Sequence, residues 1–171
     1  MTFSIPELYE FSSQVRRRFA SKLAEMPWED VIENREASFY SMRNILIHMI
    51  DNEDWIVNWA IYNKSKEYKR EKQADEYQSM NEIMDHLDKV EGKTRTYLKK
   101  AAADGDSEFK RRVNFILTTS GRNFDLSVEE CLFQSFTEQL YHLGELIALM
   151  WQENIEPPQM QWFWNNPRHY R

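Results

Sequence analysis

The stretch SVEECLFQSFTEQLYHLGELIALM, residues 127–150, decides the fold that this sequence predicts. It opens with Ser127 and, three residues later, Glu130, the spacing of a capping box that satisfies the first backbone N–H groups of a helix. Apolar side chains then recur every three or four residues and share one face of that helix. They are Leu132, Phe136, Leu143, Leu146, Ile147 and Met150. Asn154 and the Pro-Pro pair at 157–158 predict the end of the helix.

Three further segments have the same periodicity and predict three more long helices. One opens at a Ser-x-x-Glu capping box at Ser4 and ends before Pro27, one runs over about 41–63, and one starts at another such box at Ser79. Four amphipathic helices of this length predict an all-α fold, a four-helix bundle.

The connections between these helices differ in length and character. Residues 64–78 are rich in charge and predict a solvated loop or a frayed helix end. Residues 104–126 contain Gly105 and Gly121 on either side of the alternating stretch 113–117, which fits either a short strand or an irregular crossover. A connection of this length argues against a simple up-down-up-down order of helices.

The composition predicts one domain over residues 1–171, with an aromatic C-terminal tail at about 155–171. Four glycines and five prolines are too few for the turns of a β-rich domain. The net charge of −6 disfavours nucleic acids and anionic membranes as partners. A single cysteine, Cys131, excludes a disulfide within the chain, and we expect it to be a buried small side chain. Without a signal sequence or an apolar run near ~18 residues, we expect a cytoplasmic protein.

Three polar residues occupy positions at which the helical pattern calls for apolar ones. His48 falls on the inner face of the second long helix. Glu138 and His142 are four residues apart in the last helix, so their side chains project from one face. A buried carboxylate must find a partner. That partner is either a protonated His or an Arg, or a divalent metal ion shared with an imidazole from a neighbouring helix.

Two segments resemble the DinB/YfiT-like superfamily of metal-binding helical bundles. Residues 45–55, which contain His48, resemble its second-helix motif, and residues 138–146 resemble its fourth-helix motif. The family form of the latter is His-x-x-x-His followed by Arg-Gly-Gln, whereas this chain has Glu138 at the first His and Leu143 at the Arg. The mycothiol-dependent maleylpyruvate isomerases show a similar His, Glu and His ligand set.

The resemblance implies an up-down-down-up bundle in which His48, Glu138 and His142 bind a divalent metal ion. Zn²⁺ is slightly favoured over Ni, Fe or Mn, which such ligands discriminate poorly. The implied activity is that of a thiol-dependent S-transferase or isomerase acting on a small molecule with a low-molecular-weight thiol, such as bacillithiol or mycothiol. A metal-dependent hydrolase is one alternative. The other is a non-catalytic helical module for stress response or protein interaction. Family members often form homodimers, and we expect the same here.

Several other residues carry weaker hypotheses. Asn52 and Glu145 lie near the predicted ligands, and either can orient an imidazole or accept a proton. Gly144 predicts a close approach of a neighbouring backbone, because glycine inside a helix is costly. His86 is expected to be structural or exposed, and the aromatic run 162–164 is expected to pack over a bundle end or a partner subunit.

Overall fold

The computed structural model describes residues 4–117 and 120–162 of the chain. The chain is mostly helical, as predicted, with four long helices, two short ones and a β-hairpin in the described residues. The elements are α1 (Ile5–Ala24), α2 (Trp28–Ile32), α3 (Met42–Asn58), α4 (Met80–Ala103), α5 (Asp106–Lys110), β1 (Arg112–Leu117), β2 (Arg122–Ser127) and α6 (Val128–Gln152). In the two described ranges, no helix has both the length and the apolar character that crossing a membrane requires.

Each long helix begins after a serine whose side chain accepts a hydrogen bond from the backbone N–H three residues later. The capping boxes predicted at Ser4 and Ser127 are both present. At Ser79 only half of the predicted box forms. The Glu82 carboxylate accepts a bond from the Gln78 N–H at 3.2 Å instead.

The second predicted helix is shorter than expected. α3 ends at Asn58, and a 3₁₀ turn over Ala60–Tyr62 follows, closed by Asn63 in the left-handed conformation (φ 59°). The rest of the connection to α4 contains two more 3₁₀ turns, Ser65–Glu67 and Ala74–Glu76, in agreement with the predicted loop.

The core consists of two apolar clusters, and their membership gives the direction of each long helix. The first cluster joins the second halves of α1 and α6 to the first halves of α3 and α4. The second cluster joins the opposite halves of the same helices to β1. Therefore α1 and α6 run in one direction, whereas α3 and α4 run in the other.

The connection before α6 contains the main departure from an all-α chain. Strands β1 and β2 pair antiparallel, with Arg112 opposite Ser127 and Phe115 opposite Phe124. Gly121 adopts a left-handed φ of 66° in the turn between them, which glycine does without steric cost. Of the two alternatives for residues 113–117, the strand is correct, because the alternating sequence packs Val113 into the core and finds a matching partner strand.

The start of the aromatic tail packs back onto the helices. Ile155 and Met160 lie against the first core cluster, and the ring of Trp162 lies 4.9 Å from that of Phe11 in α1. The remaining tail residues of the prediction, 163–171, lie outside the described residues.

Candidate metal centre

The structure brings together the three residues that the sequence pattern singled out as metal ligands. His48 projects from α3, while Glu138 and His142 project from consecutive turns of α6. One ligand atom from each lies within 4.8 Å of the other two. The two imidazole rings meet edge to face with centroids 4.7 Å apart, and Glu138 Oε2 lies 3.4 Å from His142 Nε2. This spacing leaves room for one cation between the three side chains.

The helix geometry explains why these side chains converge. Residues four apart on α6 lie one above the other on the same face, which places Glu138 and His142 side by side. That face of α6 packs against α3, where His48 is in the first half of the helix. Because α3 and α6 run in opposite directions, the first half of α3 lies beside the second half of α6.

A second layer of hydrogen bonds holds two of the three ligands. Glu145 Oε2 lies 2.5 Å from His142 Nδ1, and it also accepts a bond from the Ser38 hydroxyl at 3.0 Å. This arrangement keeps the ring proton on Nδ1 and turns the Nε2 lone pair toward the centre. On the other ligand, Glu138 Oε1 accepts a bond from Gln134 Nε2 at 3.0 Å. Glu145 therefore takes the orienting position predicted as one of its two possible roles.

Phe39 covers the two imidazoles from the loop between α2 and α3. Its ring stacks on His48 at 4.0 Å with an interplanar angle of 19°, and it meets His142 edge on at 5.3 Å. The flanking Tyr40 has a left-handed φ of 70°, and Glu36 has one of 54°. Such conformations cost about 1–3 kcal/mol each and persist only where the surroundings impose them. The sequence analysis missed this loop because it contains no motif.

The electrostatic environment keeps His48 ready to bind a cation. Burial lowers the pKa of its imidazole to about 4, and the neighbouring His142 ring and the charge of Arg70 lower it further, against an opposing effect of Glu145. The ring is therefore neutral at pH 7, which is the form that coordinates metal ions.

The donor set fits a divalent cation with positions left open. Two imidazole nitrogens and one carboxylate oxygen are ligands typical of Zn²⁺ and other first-row metals. Three protein ligands are typical of catalytic rather than structural sites, because a further ligand then comes from outside the protein. The side chain of Glu138 is 36% exposed, so the group is open to solvent on that side. Within residues 4–117 and 120–162, no other group of three His, Cys, Asp or Glu side chains converges in this way.

A buried ionic network borders the centre and was also missed from the sequence. One terminal nitrogen of Arg16, in α1, lies 2.7 Å from both Glu53 of α3 and Glu91 of α4. Gln139, the neighbour of Glu138 on α6, donates to Glu53 at 3.3 Å. The network thus joins all four long helices close to the ligand-bearing turn of α6. Arg16 directly follows a core position of α1. That position was the one sequence signal that the Arg16 side chain is buried.

The structure also shows where the residues of the weaker hypotheses lie. The Nδ2 atom of Asn52 is buried and has no hydrogen-bond partner in the described residues. His86 is buried and bonds through Nδ1 to the Tyr77 hydroxyl at 2.6 Å, a structural role. Cys131 is buried as expected, and burial raises the pKa of its thiol to about 11. A neutral thiol of this kind is a poor nucleophile.

The prediction for Gly144 is wrong. The residue is exposed, and a Cβ built on it would meet nothing within 4 Å. It follows His142 by two residues, which at 100° per residue places it about 200° away, on the outer face of α6. No neighbouring backbone among the described residues requires a glycine there.

Comparison with known proteins agrees with this geometry. The family model described as the DinB family matches residues 1–168. The fold is similar to that of a crystal structure of a DinB-like protein from Bacillus cereus ATCC 10987, with a TM-score of 0.69 and 15% sequence identity. That similarity covers 91% of this chain and 94% of the other. A search of the curated proteins found no match.

Proposed function

The chain belongs to the DinB family, and we propose that it is a metal-dependent enzyme that binds a divalent cation through His48, Glu138 and His142. The convergence of their ligand atoms within 4.8 Å carries this proposal. The four long helices then form the up-down-down-up bundle implied by the resemblance, with the metal between α3 and α6.

The residues around the centre suit such a role. Glu145 holds the proton of His142 on Nδ1, so that Nε2 stays available as a ligand. Phe39 excludes water from one side of both imidazoles. The partly exposed Glu138 leaves the opposite side as the approach for a small molecule. A divalent cation held there would lower the pKa of a bound thiol or water and so supply a nucleophile at neutral pH.

Within this class we favour a transferase or isomerase that uses a low-molecular-weight thiol, with Zn²⁺ as the metal. The support is the likeness of the ligand set to that of the mycothiol-dependent isomerases. A hydrolase would use the same ligands with water in place of the thiol. Homodimer formation and a cytoplasmic location stay predictions.

The alternative is a non-catalytic helical module in which Glu138 and His142 form a structural ion pair. Their 3.4 Å separation is compatible with such a pair. However, the side chain of Glu138 is 36% exposed, and solvent screening on that side reduces the stability that its pair with the buried His142 contributes. An ion pair therefore gives no strong reason for this arrangement of three ligand-capable residues.

Metal analysis of the purified protein tests the proposal. Protein prepared without a chelator or a histidine tag should hold about one equivalent of a first-row divalent metal, measured by plasma mass spectrometry. Glu138→Gln should weaken the affinity at least tenfold while the thermal unfolding of the metal-free protein changes little. Glu129→Gln, which alters an exposed carboxylate in the first turn of the same helix, is the matched control.

Two results would overturn the proposal. The first is a wild-type protein that takes up no stoichiometric Zn²⁺, Ni²⁺, Fe²⁺ or Mn²⁺ even when these are supplied. The second is a Glu138→Gln variant that keeps its metal but loses stability, since that result identifies the structural ion pair.

A further inference from the structure

We propose that Arg70 binds an anionic group of the substrate, a carboxylate in the first instance, beside the metal centre. This inference rests on the proposed function, since it assigns the part of the substrate that does not reach the metal. The substrate class that follows is a small molecule with a metal-binding atom, such as a thiol sulfur, and a carboxylate a few bonds away.

Arg70 comes from the connection between α3 and α4 and reaches back to α3. Its Nε lies 3.1 Å from Oδ2 of Asp51. Asp51 follows His48 by three residues, about one turn further along the same helix. The guanidinium is thus held next to the turn of α3 that supplies a metal ligand.

The connection is anchored on both sides of Arg70. Before it, the Tyr68 hydroxyl donates to the backbone oxygen of Asp51 at 3.4 Å. After it, Lys72 pairs with Glu82 of α4 at 3.1 Å. Because the backbone is held at both ends, the guanidinium is presented from a fixed position and little ordering is needed when a ligand binds.

Arg70 keeps donors free for a ligand. In the described part of the chain, Asp51 is its one ionic partner, and that contact is made by Nε. Both terminal nitrogens are therefore left for another anion, and the side chain is 45% exposed. A planar guanidinium with two parallel N–H groups is the donor arrangement that binds carboxylates in a bidentate manner.

Asp51 is a buried carboxylate with Arg70 as its nearest cation. Both of its oxygens are buried and accept no hydrogen bond from the described residues, and they face the guanidinium at 3.1 Å and Nε2 of His86 at 4.0 Å. An anion bound at Arg70 would therefore lie about one helical turn along α3 from the metal ligand His48.

Pairs of thiols that differ by one charge test this assignment on Co²⁺-loaded protein. Each pair contains a mercaptocarboxylate and the alcohol of the same chain length, for example 3-mercaptopropionate and 3-mercapto-1-propanol. Two further pairs are one carbon shorter and one carbon longer. Binding of sulfur is followed by the thiolate-to-cobalt charge-transfer band, which reports binding without any turnover.

We expect wild-type protein to bind at least one mercaptocarboxylate about tenfold more tightly than its alcohol. In Arg70→Gln this preference should fall to within about twofold. Arg70→Lys, which keeps the charge but loses the bidentate geometry, should retain a smaller preference of about threefold. Lys69→Gln removes an exposed positive charge one residue away and should leave the preference unchanged. If Arg70→Gln does not fold, Arg70→Lys decides the result.

The outcomes separate this inference from the proposed function. If wild-type protein binds both members of every pair equally, or if Arg70→Gln and Arg70→Lys keep the full preference, Arg70 does not bind the anion. The metal proposal would still stand in that case. If the protein binds no Co²⁺, the proposed metal centre fails and this inference fails with it. If it binds Co²⁺ but no thiol changes its spectrum, the thiol-dependent activity fails and this inference fails with it.

Discussion

Replacement of Arg16 by methionine tests whether the ionic network holds the four helices together. Arg16 is fully buried, and so are Glu53 and Glu91, the two carboxylates that it contacts at 2.7 Å. Methionine is an unbranched, uncharged side chain that follows the stem of arginine but is shorter, so Arg16→Met removes both contacts and leaves a void only where the end of the guanidinium was. The variant leaves Glu53 with only two neutral donors, Tyr9 and Gln139.

The magnitude follows from the contacts that are lost. Each hydrogen bond to a charged group contributes about 1.5–3 kcal/mol, so two give about 3–6 kcal/mol. Breaking a buried ion pair by removing one partner costs about 3–5 kcal/mol. Two nitrogens of Arg16, Nε and Nη1, have no partner among the described residues, and this desolvation already weakens the wild-type protein. We therefore expect the lower end of the range, a loss of about 3 kcal/mol in the free energy of unfolding.

Urea unfolding followed by circular dichroism, at pH 7 on metal-free protein, measures this loss. Arg17→Met is the matched control, because its side chain is 32% exposed and Glu91 keeps Arg16 and Arg95 as partners. We expect the control to lose no more than about 1 kcal/mol. The double variant Arg16→Met with Glu53→Gln should recover part of the loss, since it removes the uncompensated charge.

Two results would refute this reasoning about the network. One is a loss below about 1 kcal/mol in Arg16→Met, which would mean that its carboxylate contacts contribute no net stability. The other is an equal loss in the exposed control, because the effect would then be independent of burial.

Three other changes test the surroundings of the centre. Glu145→Gln should weaken divalent-cation affinity about 10- to 100-fold in a chelator competition assay, since it removes the carboxylate that orients one ligand imidazole; unchanged affinity contradicts that role. Phe39→Ala should raise the pKa of His48 from about 4 toward 6.5 in an NMR titration, because water regains access to the ring. The exposed Tyr40→Ala should leave that pKa unchanged. Burial raises the pKa of Asp51 from 3.8 to about 6, so the native state holds a proton that the unfolded chain has lost, and wild-type stability falls as pH rises across this window. Relative to wild type, Asp51→Asn should therefore gain up to about 3 kcal/mol between those pH values in urea unfolding, and a constant difference would contradict this.

Much of the fold and of the candidate site is visible in local sequence patterns. A serine followed three residues later by glutamate precedes three of the long helices, at Ser4, Ser79 and Ser127, and the signal is local because the capping bonds lie within one turn. The same is true of Glu138 and His142, whose proximity needs only a helix and a spacing of four. Sequence patterns alone did not distinguish a strand from an irregular crossover in the hairpin, because a strand depends on its partner strand as well as on its own sequence.

The features that sequence patterns missed come from loops and from contacts between distant residues. Phe39 and Arg70 lie in connections without regular periodicity, and each acts on His48 only through the way its loop folds back onto α3. Arg16 meets Glu91 across 75 positions of the chain, a pairing that no short motif encodes. Gly144 shows the same limit, because only the packing of α6 reveals that nothing approaches its outer face.

The amino-acid sequence by itself determined where the long helices start, which faces they bury and which three polar side chains break the apolar pattern. These properties depend on propensities and spacings within a few residues. The tertiary structure alone decided that His48 of α3 meets the pair on α6, that a phenyl ring stacks on His48, and that a guanidinium pairs with Asp51 one turn further along α3. Those relations depend on helix direction and loop path, which are set by the burial of whole faces across the chain.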